Sequence, residues 1–368
     1  MSAAHIEALL AVEDLTIRYG RGEGALRAVR GVSFHIAPGE AYGLIGESGS
    51  GKSSIAFAVV NHLRGGVAEA GRILLRGRDL LRLSRADLGR VRGRQVAMVY
   101  QEPQSALNPS IPVGEQIAEA VRRHRGATRR EAALRAEELL GRVHLPEPRD
   151  IARRYPHQLS GGQQQRVVIA MAVACEPELL IMDEPTTGLD VTTEAVILDL
   201  VAELREEFGV AILFISHNLG VVARVCDRVG VLYAGEKMEE GTTAEILRHP
   251  RNPYTRGLLN AIPTRAGRGQ RLAALPGGLP DLSQPIVGCV FAPRCSLVRD
   301  ACRAEAPALA PVGPAHLSRC HFPGEALPPA TEQAHEAFAG HHDGKQALLA
   351  VADLRKYFRQ RRSLWPFG

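Results

Sequence analysis

The sequence predicts an α/β fold in which a parallel sheet carries a helical insertion. Three observations lead there. Short, fully apolar runs at residues 41–45, 179–182 and 211–215 have the pattern of strands buried on both faces. The first run ends in a glycine-rich loop at 46–51, with a helix expected from about Lys52. From about 113 to 175 the pattern is helical, with 115–123 and 130–143 both placing apolar residues at helical spacing.

The remaining elements follow in order. Residues 9–18 and 29–36 alternate like strands, with a glycine-rich turn at 20–24 between them. Residues 72–83 read as a further strand and turn, and 95–100 as a buried strand. Residues 195–208 are helical again, ahead of the strand at 211–215. Prolines become dense and aliphatic runs short from about 263 to 330, and 331–346 are small and polar like a linker. Residues 8–15 (ALLAVEDL) and 347–354 (ALLAVADL) match at seven of eight positions. The expectation is that a second copy of the first domain begins at Ala347.

The chain has 368 residues, enough for two or three domains. Hydrophobic residues make up 45% and charged residues 23%, which argues against disorder, collagen and coiled coil. The longest apolar stretch, 167–182, is interrupted by Glu176, Pro177 and Glu178, so no membrane-spanning helix is expected. No basic segment leads into an apolar core at the N-terminus, so the expected compartment is the cytosol. The net charge of +5 is small for this length and no long basic run occurs. It reads as a solvated surface rather than a nucleic-acid footprint. Six cysteines in a cytosolic chain are not expected to form disulfides.

Gly46, Glu47, Ser48, Gly49, Ser50, Gly51, Lys52 and Ser53 satisfy the P-loop pattern. Glycines there let consecutive N–H groups point at phosphate oxygens, and the following helix offers its positive end. Lys52 can reach the β- and γ-phosphates, the Ser53 hydroxyl can hold Mg²⁺, and Ser54 can add a contact nearer the α-phosphate. A nucleotide site also needs a metal-binding acid after an apolar strand. Asp183 answers that need, and Glu184 beside it would orient or deprotonate the attacking water.

Leu159, Ser160, Gly161, Gly162 and Gln163 open another helix, a second anion site outside that pocket. With this LSGGQ run the chain resembles the ATP-binding-cassette (ABC) family over about residues 8–262. The resemblance implies a P-loop ABC nucleotide-binding domain with a parallel core, an antiparallel β subdomain and a helical subdomain at about 105–175. It implies that Ser160, Gly161, Gly162 and Gln163 of one cassette close over the γ-phosphate on the P-loop of another. Gln101 matches the Q-loop glutamine, which would touch Mg²⁺ and the water. Asp190 matches the D-loop, His217 the switch histidine at the γ-phosphate, and Tyr19 the aromatic that stacks on adenine.

Cys289, Cys295, Cys302 and Cys320 are separated by five, six and seventeen residues. Four thiolates suit zinc or an iron–sulfur cluster. The absence of a CxxC pair leans toward a cluster, with His316 and His321 as substitute zinc ligands. Residues 250–255 (PRNPYT), 275–277 (LPG), 288–289 (GC) and 291–295 (FAPRC), with 105–109 (SALNP) upstream, resemble one branch of the family. That branch is the dipeptide and oligopeptide importer ATPases, whose C-terminal extension carries four cysteines associated with a 4Fe–4S cluster. Cys175 and Cys226 read as core residues.

The resemblance thus implies an ATPase that powers uptake of di- or oligopeptides from the cytoplasmic face of the inner membrane. Its expected partners are a second cassette (a separate protein or a tandem continuation), two permease subunits and an extracytoplasmic binding protein, with no nucleic acid. Import of nickel or another small solute stays open, as does a soluble ABC ATPase acting on ribosomes or nucleic acid. The expected divisions are a cassette at 1–262, the cysteine extension at 263–330, a linker at 331–346 and the start of a second cassette at 347–368.

Overall fold

The computed structural model describes residues 8–22, 24–261, 275–325 and 351–355. Its strands form two sheets. β1 (Leu10–Tyr19), β2 (Leu26–Ile36), β4 (Gly66–Leu75) and β5 (Arg78–Asp79) make an antiparallel sheet in the order β2-β1-β4-β5. Along β1, Leu10, Val12, Leu15 and Ile17 are buried. The step of three between Val12 and Leu15 breaks the strand period, and the ladder slips there. Asp14 absorbs the extra residue in a left-handed conformation, φ 45°. Its N–H donates to Ser33 Oγ at 2.8 Å. Such a bulge keeps Leu15 and Ile17 on the core face.

The larger sheet contains β3 (Ala41–Ile45), β6 (Val96–Val99), β7 (Leu179–Asp183), β8 (Ala211–Ser216), β9 (Arg228–Tyr233), β10 (Glu236–Thr242), β11 (Leu309–Gly313) and β12 (His316–Arg319). Their order is β11-β12-β10-β9-β3-β8-β7-β6. From β9 to β6 neighbours run parallel. Every residue of β3, β7 and β8 is buried, as their unbroken apolar sequences require. Parallel strands put all their C-terminal ends on one edge, where ligands of open α/β sheets bind. Gly46, Gln101, Glu184 and His217 all lie just beyond such ends.

The helical insertion comprises Val113–Arg125, Arg129–Arg142, Pro148–Arg153 and Gly161–Val173. The second starts at Thr128, whose side chain and that of Glu131 cap each other's backbone N–H groups. The first buries Ile117, Ala118 and Val121 into the same core as Leu139 and Leu140.

The extension is sewn onto the sheet. β12 pairs antiparallel with β10, Glu239 opposite Ser318 and Glu240 opposite Leu317. Fully buried Glu239 holds the join. It accepts N–H bonds from Arg251 at 2.5 Å and Asn252 at 3.2 Å and lies 2.7 Å from His316 Nε2. Described residues from 8 to 325 fall in one compact unit and 351–355 in another. The described residues on either side of the compositional change near 263 thus belong to one compact unit. The anticipated linker, 331–346, lies outside the described residues, as does most of 347–368. Among the described residues no helix is long and apolar enough to cross a membrane.

Candidate active site

The loop after β3 is shaped by glycines that nothing else could replace. Gly46 has φ 152°, and a Cβ there would stand 2.1 Å from the Leu232 carbonyl oxygen. Gly51 has φ 103°, with a Cβ 2.4 Å from the Ala28 carbonyl oxygen. Ser48 and Gly49 are exposed at the crown while Ser50 is fully buried. The helix Lys52–Val59 follows, with Gly51 at its N-cap. Lys52 folds back over the loop. Its Nζ donates to the carbonyls of Gly46 at 2.7 Å and Glu47 at 2.9 Å. Burial holds its pKa below the ordinary lysine value, against the pull of Glu184, Asp183 and Glu47. The ammonium is thus supported by carbonyl oxygens that an incoming phosphate can outcompete.

Ser53 Oγ donates to Asp183 Oδ1 at 3.0 Å. Asp183 is buried, which raises its pKa; Glu184 raises it further, while Ser53 and Lys52 oppose the rise. A hydroxyl and a carboxylate so placed are hard oxygen donors of the kind Mg²⁺ takes.

Glu184 is the hub. One of its oxygens, Oε2, lies 3.3 Å from Gln101 Nε2, 3.0 Å from Thr187 Oγ1 and 3.1 Å from His217 Nδ1. Its own backbone is left-handed, φ 47°, a conformation that costs a non-glycine residue about 1 kcal/mol. The Glu184 N–H to Ile215 carbonyl bond, 3.0 Å, holds it there. The side chain is 15% exposed, less open than a strand-end position suggests. Gln101, Glu184 and His217 follow β6, β7 and β8, so the three-strand register brings them together. Thr187 is the member that the sequence pattern did not single out; only the turn after Pro185 aims its hydroxyl.

Tyr19 ends β1, and its hydroxyl donates to Ser54 Oγ at 3.1 Å. The ring lies against Gly66, where a Cβ would meet it at 2.7 Å. This sets the aromatic beside the P-loop helix.

Ser160 caps the helix Gly161–Val173. Its Oγ accepts from the Gln163 N–H at 3.3 Å and its N–H donates to Gln163 Oε1 at 3.0 Å. Asp190 caps the helix Val191–Phe208 in the same way through Thr193, with Thr193 N–H to Oδ1 at 3.0 Å. The two helix starts touch: a Cβ on Gly162 would be 2.6 Å from Thr193 Cγ2. Gly161 meets nothing within 4 Å. The bonds of this helix start are with its own cap, and its close neighbour is the D-loop helix.

The four late cysteines converge. Cys289, Cys295, Cys302 and Cys320 line one small cavity, with Met238, Phe291, His321 and Phe322 among its walls. The Phe322 N–H donates to Cys320 Sγ at 3.4 Å. Burial pushes the Cys289 thiol up to about 11, with the other three cysteines adding to the rise. Among the described residues no three His, Cys, Asp or Glu side chains are close enough together to hold one metal ion. The expected metal centre is thus a shared cavity, not a formed single-ion site. His316 is not among the residues lining that cavity, and its Nε2 lies 2.7 Å from Glu239, while His321 lines it with Nε2 at 3.0 Å from the Glu305 carbonyl. Cys175 and Cys226 are buried elsewhere, as expected of core residues.

Comparison with known proteins agrees with this geometry. The ABC transporter family model matches residues 29–187, and a model of the oligopeptide/dipeptide transporter C-terminal region matches 238–302. A probable peptide ABC transporter ATP-binding protein of Sinorhizobium fredii is 45% identical over 315 residues, 85% of this chain and 94% of its own. The oligopeptide transport ATP-binding protein OppD of Escherichia coli is 42% identical over 321 residues, 87% of this chain and 95% of its own. Among solved structures, an ATP-binding cassette in a dimeric post-hydrolysis state bound to ADP and Pi superposes with a TM-score of 0.58. It is 30% identical, covering 64% of this chain and 98% of that one. The chain belongs to the ABC transporter family of ATP-binding proteins and carries the C-terminal region of its oligopeptide/dipeptide transporters.

Proposed function

We propose that the chain is the ATP-hydrolysing subunit of an importer for dipeptides or oligopeptides, acting at the cytoplasmic face of the membrane. The observation that carries the ATPase reading is Glu184 Oε2, gathered by Gln101, Thr187 and His217 beside the P-loop. The peptide class is supported by the C-terminal region match and by the peptide-transport names of the relatives.

In this reading the P-loop N–H groups and Lys52 bind the β- and γ-phosphates, and Tyr19 stacks on the base. Ser53, Asp183 and Gln101 would hold Mg²⁺, which neutralises phosphate charge when bound. Glu184 accepts the proton of the attacking water as that water adds in line to the γ-phosphorus and the β–γ bond breaks. His217, held through Nδ1, presents Nε2 toward the γ-phosphate and stabilises the developing charge.

The second cassette enters through Gly161. Among the described residues nothing lies within 4 Å of a Cβ on that glycine, and a glycine in a helix is about 1 kcal/mol less favourable than alanine. A partner's nucleotide approaching the Ser160 cap accounts for it, with Asp190 beside the same interface. Gly161→Ala is expected to keep or raise the Tm while cutting ATPase turnover of the assembled complex at least about tenfold. An unchanged turnover removes the interface reading.

Two permeases and an extracytoplasmic binding protein complete the proposed machine. The repeat at 347–354 supports a tandem second cassette, because Asp353, φ 51°, has the left-handed backbone of its counterpart Asp14, φ 45°. The convergence of four cysteines on one cavity supports a 4Fe–4S cluster, whose ligands must be thiolates. The cluster's expected role is to staple a small, proline-rich fold. Anaerobically purified protein should be brown and contain iron and acid-labile sulfide; colourless protein with stoichiometric zinc assigns the cavity to zinc.

Reconstituted complex in proteoliposomes should take up labelled peptides, with ATPase stimulated by the peptide-loaded binding protein. Stimulation and uptake with nickel and none with peptides would replace the peptide reading.

A further inference from the structure

The P-loop is braced from the extension. Arg294 is buried at the end of a single turn, Ala292–Arg294, one residue before Cys295. Its guanidinium grips Glu47 with two prongs, Nη1 to Oε2 at 2.6 Å and Nη2 to Oε1 at 3.0 Å. Its Nε donates to the Pro276 carbonyl at 2.7 Å, and its carbon sits 5.6 Å from the Tyr233 ring centroid. The same loop residue is held by its backbone, the Glu47 N–H donating to Tyr254 Oη at 3.0 Å. Leu279 adds an apolar stop, 3.2 Å from where a Cβ on Gly49 would stand.

Two physical consequences follow. A planar fork on a carboxylate fixes orientation as well as distance, so the turn that begins the phosphate cradle is set by a residue some 250 positions away in sequence. Glu47 also puts a carboxylate in a loop whose task is to bind a polyanion. Unneutralised, that charge opposes the phosphates through a partly dry interior. Arg294 cancels it, and the strong hydrogen bond it donates to Glu47 is the first cause holding the Arg294 pKa above the ordinary arginine value.

We propose that Arg294 is a positioning residue of the ATP site: it orients Glu47 and neutralises it, so that the cysteine-bearing extension sets the affinity of the P-loop for nucleotide. This rests on the ATPase reading. If the wild-type complex does not hydrolyse ATP, that reading fails first; a normal wild type with insensitive variants overturns only the proposal.

The experiment compares KM for ATP, kcat and Tm in the assembled complex for Arg294→Ala, Glu47→Gln and the double variant. Arg294→Ala is expected to raise KM about tenfold with kcat within about twofold, the worth of one lost charged hydrogen-bond pair. The double variant is expected to return KM to within about threefold of wild type, because removing the stranded charge relieves the loop. A purely structural arginine predicts no such rescue. Unchanged KM in Arg294→Ala, or a double variant as impaired as the single, overturns the proposal. Should Arg294→Ala fail to fold, Arg294→Lys keeps the charge without the fork. It should raise KM about threefold, more so at high salt, and an unshifted KM there is equally fatal.

Discussion

Glu184→Gln is expected to lower kcat for ATP hydrolysis by about 100- to 1000-fold, the range a positioned general base supplies. ATP affinity should stay within about threefold of wild type. The amide is isosteric, so the left-handed backbone at 184 and the N–H bond to Ile215 are undisturbed. It can still accept from Gln101 and Thr187 through its oxygen, but it cannot take a proton from water. The charge it removes also lies near Lys52 and Asp183, where it affects both pKa values; binding is therefore not expected to weaken. Single-turnover kinetics with radiolabelled ATP separate the steps. A variant that binds ATP normally and hydrolyses it at more than about a tenth of the wild-type rate would remove Glu184 from the base position.

The second large effect belongs to the loop backbone. Gly51→Ala should destabilise the chain by about 3 kcal/mol, combining φ strain with overpacking. The corresponding fall in Tm is roughly 5–10 °C. At φ 103° an L-residue is strained whatever its surroundings, and here the new Cβ also meets backbone, the Ala28 carbonyl oxygen at 2.4 Å. That oxygen belongs to β2 and cannot swing aside like a side-chain tip. The loop must move, so ATP binding should fall by about 100-fold or more, since misplaced donors lose most of their value. Differential scanning calorimetry with and without Mg·ATP reads both losses. A Tm within about 1 °C of wild type and an unchanged KM would show that the loop relaxes freely. Gly161→Ala is the matched control for the change in Tm alone, because its Cβ meets no described atom within 4 Å.

Much of the fold was legible because its signals are local. The runs that became β3, β7 and β8 are apolar throughout, as strands covered on both faces must be, and their predicted limits differ from the observed ones by at most one residue. The helix start at Ser160–Gln163 is likewise written into four consecutive positions. The strands at the other edge were not legible. β10 reads EKMEEGT, a solvent-like sequence, yet Lys237, Glu239 and Glu240 are buried. They are tolerated because Glu240 pairs with Lys237 and Arg228, and Glu239 with His316. Lys237 lies in the same strand, but Arg228 and His316 come from β9 and β12. Polar pattern alone cannot distinguish a paired, buried charge from a solvated one.

The same division runs through the site. Sequence by itself nominated the groups proposed to do chemistry: the P-loop glycines, Lys52, Ser53, Asp183, Glu184, the LSGGQ helix cap and the set of four cysteines. Each is a residue type that its task demands, placed at a short spacing or at the end of an apolar run. Tertiary structure decided how those groups are held. It gathered Gln101, Thr187 and His217 on one oxygen of Glu184, brought the four cysteines around one cavity, and carried Arg294 onto Glu47. Spacing encodes a loop or a helix cap because backbone geometry is short-ranged. It cannot encode a contact between residues 47 and 294, which exists only because β12 closes on β10 and delivers the extension to the edge of the ATP site.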